Sequence, residues 1–550
     1  MPSKFLLHRC AAILLARGRG VIKEHGAYLG LVLILYSLLA LGAAYANNWY
    51  DPPFSQTNDL TVHIPYAFKL ADSRLYARDP VFGHFGWTSF GNRLDSLPFP
   101  ALLRILLPVL GIRPTLGVLS FVLGSTFVVG IYFLTWRFCG DSLAGVIAAF
   151  LASLDYKALG GVSLSFALPN VLPRNFVAAM SPFVVILFLR WRETKRLWIL
   201  YALLGLAANF HALAPLHLVL ILTLAFIVTS GLSWLSIRKL ITCGAASLIG
   251  ALPVLLAFVP SLGRRLDVTS EEALILANRY SFAFRPDLGS LLCFGVNFLP
   301  IALLGGLGFY LTLKRQDVRR TTVSVYLTLY GVVLLLPWIG QIVNTLTFSF
   351  SQLELLRVTR YYFVLNFAPL GLLLANWLKR RRRILSILVL LVLSALMTVS
   401  RPLVGVALVS KGFEWFVARQ ETPVAIESVA TESRSEQPVM VWNWYAFVDL
   451  CDWTDSNTPV DALFLAPVDW NSFRVYARRG LAVSWKGTEW EGWVEHYETV
   501  LALYNSPDAH RFVDVARDYD VDYVVVMPGL DLPDFDVVYE NSFYVVYKVE

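Results

Sequence analysis

The segment Asn58-Asp59-Leu-Thr-Val-His63 sets a carboxylate and an imidazole four residues apart, a spacing that puts both on one face of a helix. An aspartate beside a histidine at the mouth of a cavity could deprotonate a hydroxyl. The plainer structural role makes Asp59 a helix cap and His63 a packing ring. Asp51 and Asp79 flank this segment and are the alternative acids. A second set is basic. Arg174 sits in Pro-Asn-Val-Leu-Pro-Arg174-Asn175, and Arg357 and Arg360 sit in Glu354-Leu-Leu-Arg-Val-Thr-Arg-Tyr361. Guanidinium groups grip phosphate through paired hydrogen bonds. Snorkelling to lipid headgroups, or pairing with Glu354, is the alternative use of the same residues. His211, in Asn209-Phe-His-Ala-Leu-Ala-Pro215, could contact a phosphate or a sugar hydroxyl.

The elements that must position these residues are membrane helices. Of the 550 residues 57% are hydrophobic and 15% charged, well below the charged share of a soluble chain. A span needs about 20 mainly apolar residues. Stretches of that kind fall near 27–46, 115–135, 142–155, 176–190, 197–210, 212–231, 239–260, 289–312, 321–340, 362–378 and 384–400, which predicts about 11 transmembrane helices. Every second connection is basic, the strongest being 190–196, 314–320 and 379–383. Basic connections face the cytoplasm, so the N-terminus is expected inside. The long loop 47–100 and the C-terminal region are then expected outside, together with Arg174, His211, Arg357 and Arg360. Residues 1–26 mix apolar and basic side chains and read as an amphipathic segment on the cytoplasmic surface.

Charge divides the chain as clearly as hydropathy. Residues 1–400 carry 35 Lys and Arg against 15 Asp and Glu, and residues 401–550 carry 11 against 24. A basic membrane region, 27–400, is followed by a linker, 401–437, and an acidic aqueous domain, 438–550. This pattern argues against nucleic acid as a partner. In the aqueous domain, Val439–Trp444, Ala462–Ala466, Leu481–Trp485 and Tyr523–Val526 have strand patterns. Trp490–Tyr504 and Ala509–Tyr519 have helical spacing, and Asp536–Tyr539 with Phe543–Tyr547 reads as a closing hairpin. A small α/β domain without a phosphate-binding glycine loop follows. The five cysteines show no pairing or zinc spacing. No cofactor is required by these motifs. A divalent cation near Asp51, Asp59 and Asp79 stays open, because nothing in their spacing demands one.

Taken together, the loop motif at Asn58–His63, Pro173-Arg174, His211, Leu355-Leu-Arg-Val-Thr-Arg-Tyr361 and the outer α/β domain resemble the GT-C superfamily of polytopic membrane glycosyltransferases. The resemblance implies a sugar donor on a polyprenyl-phosphate carrier and transfer at the outer face with inversion. It implies that a first-loop acid, carried here onto Asp59, is the general base. The lipid phosphate would then fall to Arg357, Arg360 and His211, with Arg174, His63 and Tyr361 as further contacts. Membrane lipids and a glycan, lipid or protein acceptor are the implied partners, and a bacterial inner membrane is the expected location. Two other classes fit the same architecture: a non-catalytic GT-C-like subunit that binds lipid or a partner protein, and a transporter of lipid-linked saccharide. The transporter should show ionisable groups at mid-membrane and broken helices in corresponding repeats, and neither is evident in the sequence.

Overall fold

The computed structural model describes residues 24–41, 60–83, 98–154, 157–158, 162–163, 171–256, 305–310, 320–346, 355–379, 384, 387, 443–484 and 493–549. In chain order the elements are α1 (Glu24–Leu41), α2 (Leu60–Ala71), α3 (Pro98–Leu110), α4 (Ile112–Cys139), α5 (Ser142–Ser153), the short hairpin β1 (Lys157–Ala158) and β2 (Val162–Ser163), α6 (Pro173–Trp191), α7 (Leu197–Ala208), α8 (Leu213–Ser230), α9 (Trp234–Gly250) and α10 (Arg320–Leu346). A 3-10 turn (Leu355–Val358) leads into α11 (Thr359–Lys379). The C-terminal elements are α12 (Trp444–Asn457), β3 (Leu463–Leu465), α13 (Phe473–Tyr476), β4 (Gly480–Leu481), α14 (Trp493–Asn505), α15 (Ala509–Asp518), β5 (Tyr523–Val526), β6 (Asp536–Glu540) and β7 (Val545–Lys548).

The chain divides into two compact units that interleave in sequence. One comprises 1–48, 116–252 and 277–416; the other comprises 49–115, 253–276 and 417–550. Apart from the short hairpin β1–β2, the described elements of the first unit are helices. The predicted spans from 27–46 to 239–260 each coincide with a helix, as do 321–340 and 362–378. Among the described residues, five helices, α1, α4, α6, α8 and α11, are long and apolar enough to cross a membrane. The apolar helices α5 and α7 have 12 residues each, about 18 Å of rise against a hydrocarbon core of about 30 Å. The count of 11 is therefore not established. The expected span at 289–312 lies outside the described residues except for 305–310, and that at 384–400 except for 384 and 387.

Close backbone approach ties these helices together. A Cβ on Gly371 of α11 would lie 2.4 Å from the Ala144 carbonyl of α5, so glycine is what lets the two helices meet. Asp141 caps α5 by accepting from the Leu143 and Ala144 amides. Its other oxygen meets Lys379 Nζ at 2.5 Å. The start of α5 and the end of α11 are thus at one side, and the two helices are antiparallel.

In the second unit a five-stranded sheet has the order β4-β3-β5-β7-β6. β4, β3 and β5 are parallel, while β7 and β6 run antiparallel to the strands beside them. All four residues of β5 are buried, because helices cover both faces. Val524 and Val526 point into a core with Trp493, Val500, Phe512 and Ala516 of α14 and α15. Tyr523 and Val525 point into the opposite core with Phe447 and Leu450 of α12 and with Trp470 and Phe473. The hairpin β6–β7 occurs where the sequence pattern put it. Two details differ from expectation. Trp444 opens helix α12 rather than closing a strand: Asn443 accepts from the Ala446 amide as N-cap, and Ala446, Phe447, Leu450, Cys451 and Thr454 form its buried stripe. β4 is two residues long and starts at Gly480, and 485–492 lie outside the described residues.

Candidate functional site

In the helical unit three helix starts bring basic side chains together. α6 begins with Pro173 at its first position, after Leu172 in extended backbone with no side-chain cap. Proline suits that position because its missing amide hydrogen would be unpaired there anyway. The next residue is Arg174. α8 begins just after His211, whose Nδ1 accepts from the Ala214 amide at 3.2 Å. α11 begins after the 3-10 turn that holds Arg357, and Arg360 is in its first turn. Arg360, 1% exposed, donates Nε to the Arg357 carbonyl at 2.9 Å. Tyr361 donates its hydroxyl to the Ala214 carbonyl at 2.8 Å, which pins the start of α11 to that of α8.

The electrostatics centre on His211. Burial, and after it the charges of Arg360, Arg174, Arg357 and His217, hold its imidazole well below the ordinary histidine range. The ring is therefore neutral. With Nδ1 accepting from Ala214, the proton sits on Nε2. The result is three guanidinium groups and one neutral N–H donor at the N-terminal ends of three helices, where the peptide dipoles add further positive potential. Guanidinium groups, an N–H donor and helix N-termini are the groups from which a tetrahedral oxyanion can accept hydrogen bonds. Arg174, Arg357 and Arg360, all singled out in the sequence, are thus near enough to His211 for their charges to act on its ring, and Tyr361 is tied to the same helix start through Ala214. His217 of α8, buried beside them, was not singled out. It lies six residues after His211 inside an apolar helix, a spacing that carries no facing signal.

A narrow apolar crevice adjoins this cluster. Its walls are Val185 of α6, Leu218, Ile221 and Leu222 of α8, Leu329 and Val333 of α10, and Tyr361, Val364 and Leu365 of α11. Tyr361 belongs to both places: its hydroxyl is committed beside His211 and its ring lines the crevice. Polar and apolar surfaces therefore meet at one residue. The cluster lies at the start of α6 and α11, while Arg190 and Lys379 are in their last turns. A 21-residue helix such as α11 is about 30 Å long, so the cluster and the basic turn at Lys379 are separated by a bilayer's thickness.

Of the candidate acids, Asp79 is described, in the second unit. Asp51 and Asp59 lie outside the described residues. His63 is in the first turn of α2, its ring edge-on to Phe99 of α3 with centroids 5.3 Å apart. Asp79 is buried, 1% exposed. It accepts from Arg474 Nε at 2.6 Å and Nη2 at 3.1 Å, and from the amides of Leu481 at 2.9 Å, Val81 at 2.8 Å and Phe82 at 3.2 Å. Five donors fill the lone pairs of a carboxylate, so this oxygen pair is occupied by the fold. Among the described residues, no group of three or more His, Cys, Asp or Glu is placed to hold a metal ion.

Comparison with known proteins gives a fold. A family model described as a domain of unknown function, DUF6798, matches residues 445–500, from α12 into α14. A search of the curated proteins finds no match. Among solved structures, the Archaeoglobus fulgidus oligosaccharyltransferase complexed with zinc and sulfate is similar at a TM-score of 0.50 and 14% identity, over 94% of this chain and 73% of that one. The archaeal oligosaccharyltransferase AglB with an inhibitory peptide and a dolichol-phosphate gives 0.42 and 14%, over 92% and 70%. ArnT from Cupriavidus metallidurans gives 0.35 and 12%, over 88% and 92%. The first of these likenesses shows that this chain shares the overall fold of that structure.

Proposed function

We propose that the protein is a membrane glycosyltransferase that moves a sugar from a polyprenyl-phosphate donor to an acceptor hydroxyl, with inversion. The observation that carries this reading is the gathering of Arg174, His211, Arg357 and Arg360 at three helix starts beside an apolar crevice. A phosphate ester of a long isoprenoid has this form, a charged tetrahedral head on a hydrocarbon chain. The acceptor oxygen attacks the anomeric carbon, and Asp59 takes the hydroxyl proton. The bond from that carbon to the phosphate oxygen breaks, and the oxygen keeps the electron pair. The leaving phosphate gains negative charge, which the guanidinium groups and the His211 Nε2–H stabilise as it develops. One in-line displacement inverts the anomeric centre. No step requires a metal ion. The cluster faces the extracytoplasmic side, because it lies at the ends of α6 and α11 opposite the basic turns. The acceptor is a glycan, lipid or protein hydroxyl.

Asp59→Asn tests the assignment of the base. With donor lipid extracted from the native membrane, transfer should fall by about a thousandfold or more, while retention of the lipid is unchanged. Transfer at wild-type rates would remove Asp59 from the mechanism.

A further inference from the structure

We infer that the C-terminal domain holds the first loop in place for catalysis, and that Arg474 is the positioning residue. This rests on the reading of Asp59 as general base. Within the second unit, residues 60–83 pack on the segment from α13 to β4. Arg474 makes a two-point grip on Asp79 and donates its remaining Nη1 to Ser484 Oγ at 2.5 Å. Its Cζ lies 5.2 Å from the centre of the Phe82 ring. Asp79 in turn accepts from the Leu481 amide. Leu481 belongs to β4, an outer strand of the described sheet, so an outward amide of that strand is taken by a side chain of the first loop.

Two further contacts fix the direction of the loop. Tyr76 has a φ of 57°, a left-handed conformation that is unfavourable for a non-glycine residue and persists only where the surroundings impose it. Its buried hydroxyl donates to the Arg474 carbonyl at 2.6 Å. Arg78 donates Nη1 to both oxygens of Asp522 at 2.7 Å, and Asp522 also accepts from the Leu463 amide at the start of β3. Side chains at 76, 78 and 79 thus engage three separate parts of the domain. A buried ion pair adds little net stability against an apolar replacement. What a two-point guanidinium–carboxylate contact adds is orientation. The segment so oriented includes α2, whose first residue, Leu60, follows Asp59 directly.

The test uses the full-length protein in lipid nanodiscs, with Arg474→Lys and Asp79→Asn. The first keeps the charge and loses the fork; the second keeps the shape and loses the charge. Hydrogen exchange of peptides covering 60–83 should speed up by about tenfold or more in both variants, while β5 and β7 stay protected. In transfer from the native donor lipid, kcat should fall by about tenfold with KM for the donor within about twofold. The double variant Asp79→Glu, Arg474→Lys, which restores an ion pair, should recover part of both losses. Unchanged exchange in 60–83 would overturn the inference, as would faster exchange with unchanged kcat. A variant that loosens β5 and β7 as well is misfolded, and the half-exposed contact is then broken instead with Arg78→Ala under the same two readouts. If the wild type itself transfers nothing, the functional reading fails, and the exchange result alone decides whether the domain orders the loop.

Discussion

His211 is held neutral by burial and by three guanidinium groups, and that has a measurable consequence. Its folded pKa lies below the free imidazole value, so the unfolded chain takes up a proton first as the pH falls. Stability from this residue is complete above about pH 6.5 and is lost below it, by at most about 1.4 kcal/mol per pH unit. His211→Gln should lose stability less steeply than the wild type between pH 7 and 5. Equal slopes in a melting series would show that the imidazole is not held this way. The basic residues stood out in the sequence because they break an expected rule of location: if basic turns face the cytoplasm, arginines at the opposite ends of the spans demand a reason. Asp79 was not legible. Its type and place in a polar loop suit a catalytic acid equally well, and its partner Arg474 is 395 residues away. No local pattern carries such a contact.

Helices with long apolar runs could be read from hydropathy, and their ends from proline, glycine and basic turns. What hydropathy does not carry is how they pack. α7 and α9 meet through glycines: a Cβ on Gly205 would lie 2.1 Å from the Ser247 carbonyl, and one on Gly250 would lie 2.5 Å from that of Ala202. A Cβ on Gly244, also in α9, meets nothing within 4 Å. Gly205→Ala should therefore destabilise by about 1–3 kcal/mol through overpacking. Gly244→Ala should be neutral or stabilise by up to about 1 kcal/mol, as expected for a helix interior. Thermal melts of the two variants moving in the same direction would contradict this packing. α12 shows the opposite difficulty. Its tryptophans and aspartates weaken the helical pattern, and the adjoining apolar Val439–Val441 draws Trp444 into an apparent strand. Its N-cap at Asn443 and stripe of Ala446, Phe447, Leu450, Cys451 and Thr454 are the signals that decide it.

For the whole molecule, composition separated a basic membrane region from an acidic domain, and the two compact units broadly follow that division. The larger of two departures is residues 49–115, which belong with the C-terminal unit although more than 300 residues separate the two in sequence. A loop read from hydropathy alone looks like a connection between spans; Tyr76, Arg78 and Asp79 make it part of another domain's fold. The proposed function requires the helical unit to bind a lipid phosphate at Arg174, Arg357 and Arg360. Native mass spectrometry of the gently purified protein tests it most directly, comparing the wild type with the triple variant Arg174→Ala, Arg357→Ala, Arg360→Ala. The wild type should retain a polyprenyl phosphate, with or without its sugar, and the folded triple variant should lose it. Retention of ordinary phospholipid alone by the wild type, even after polyprenyl phosphate is added, would contradict the account, as would equal retention by both proteins.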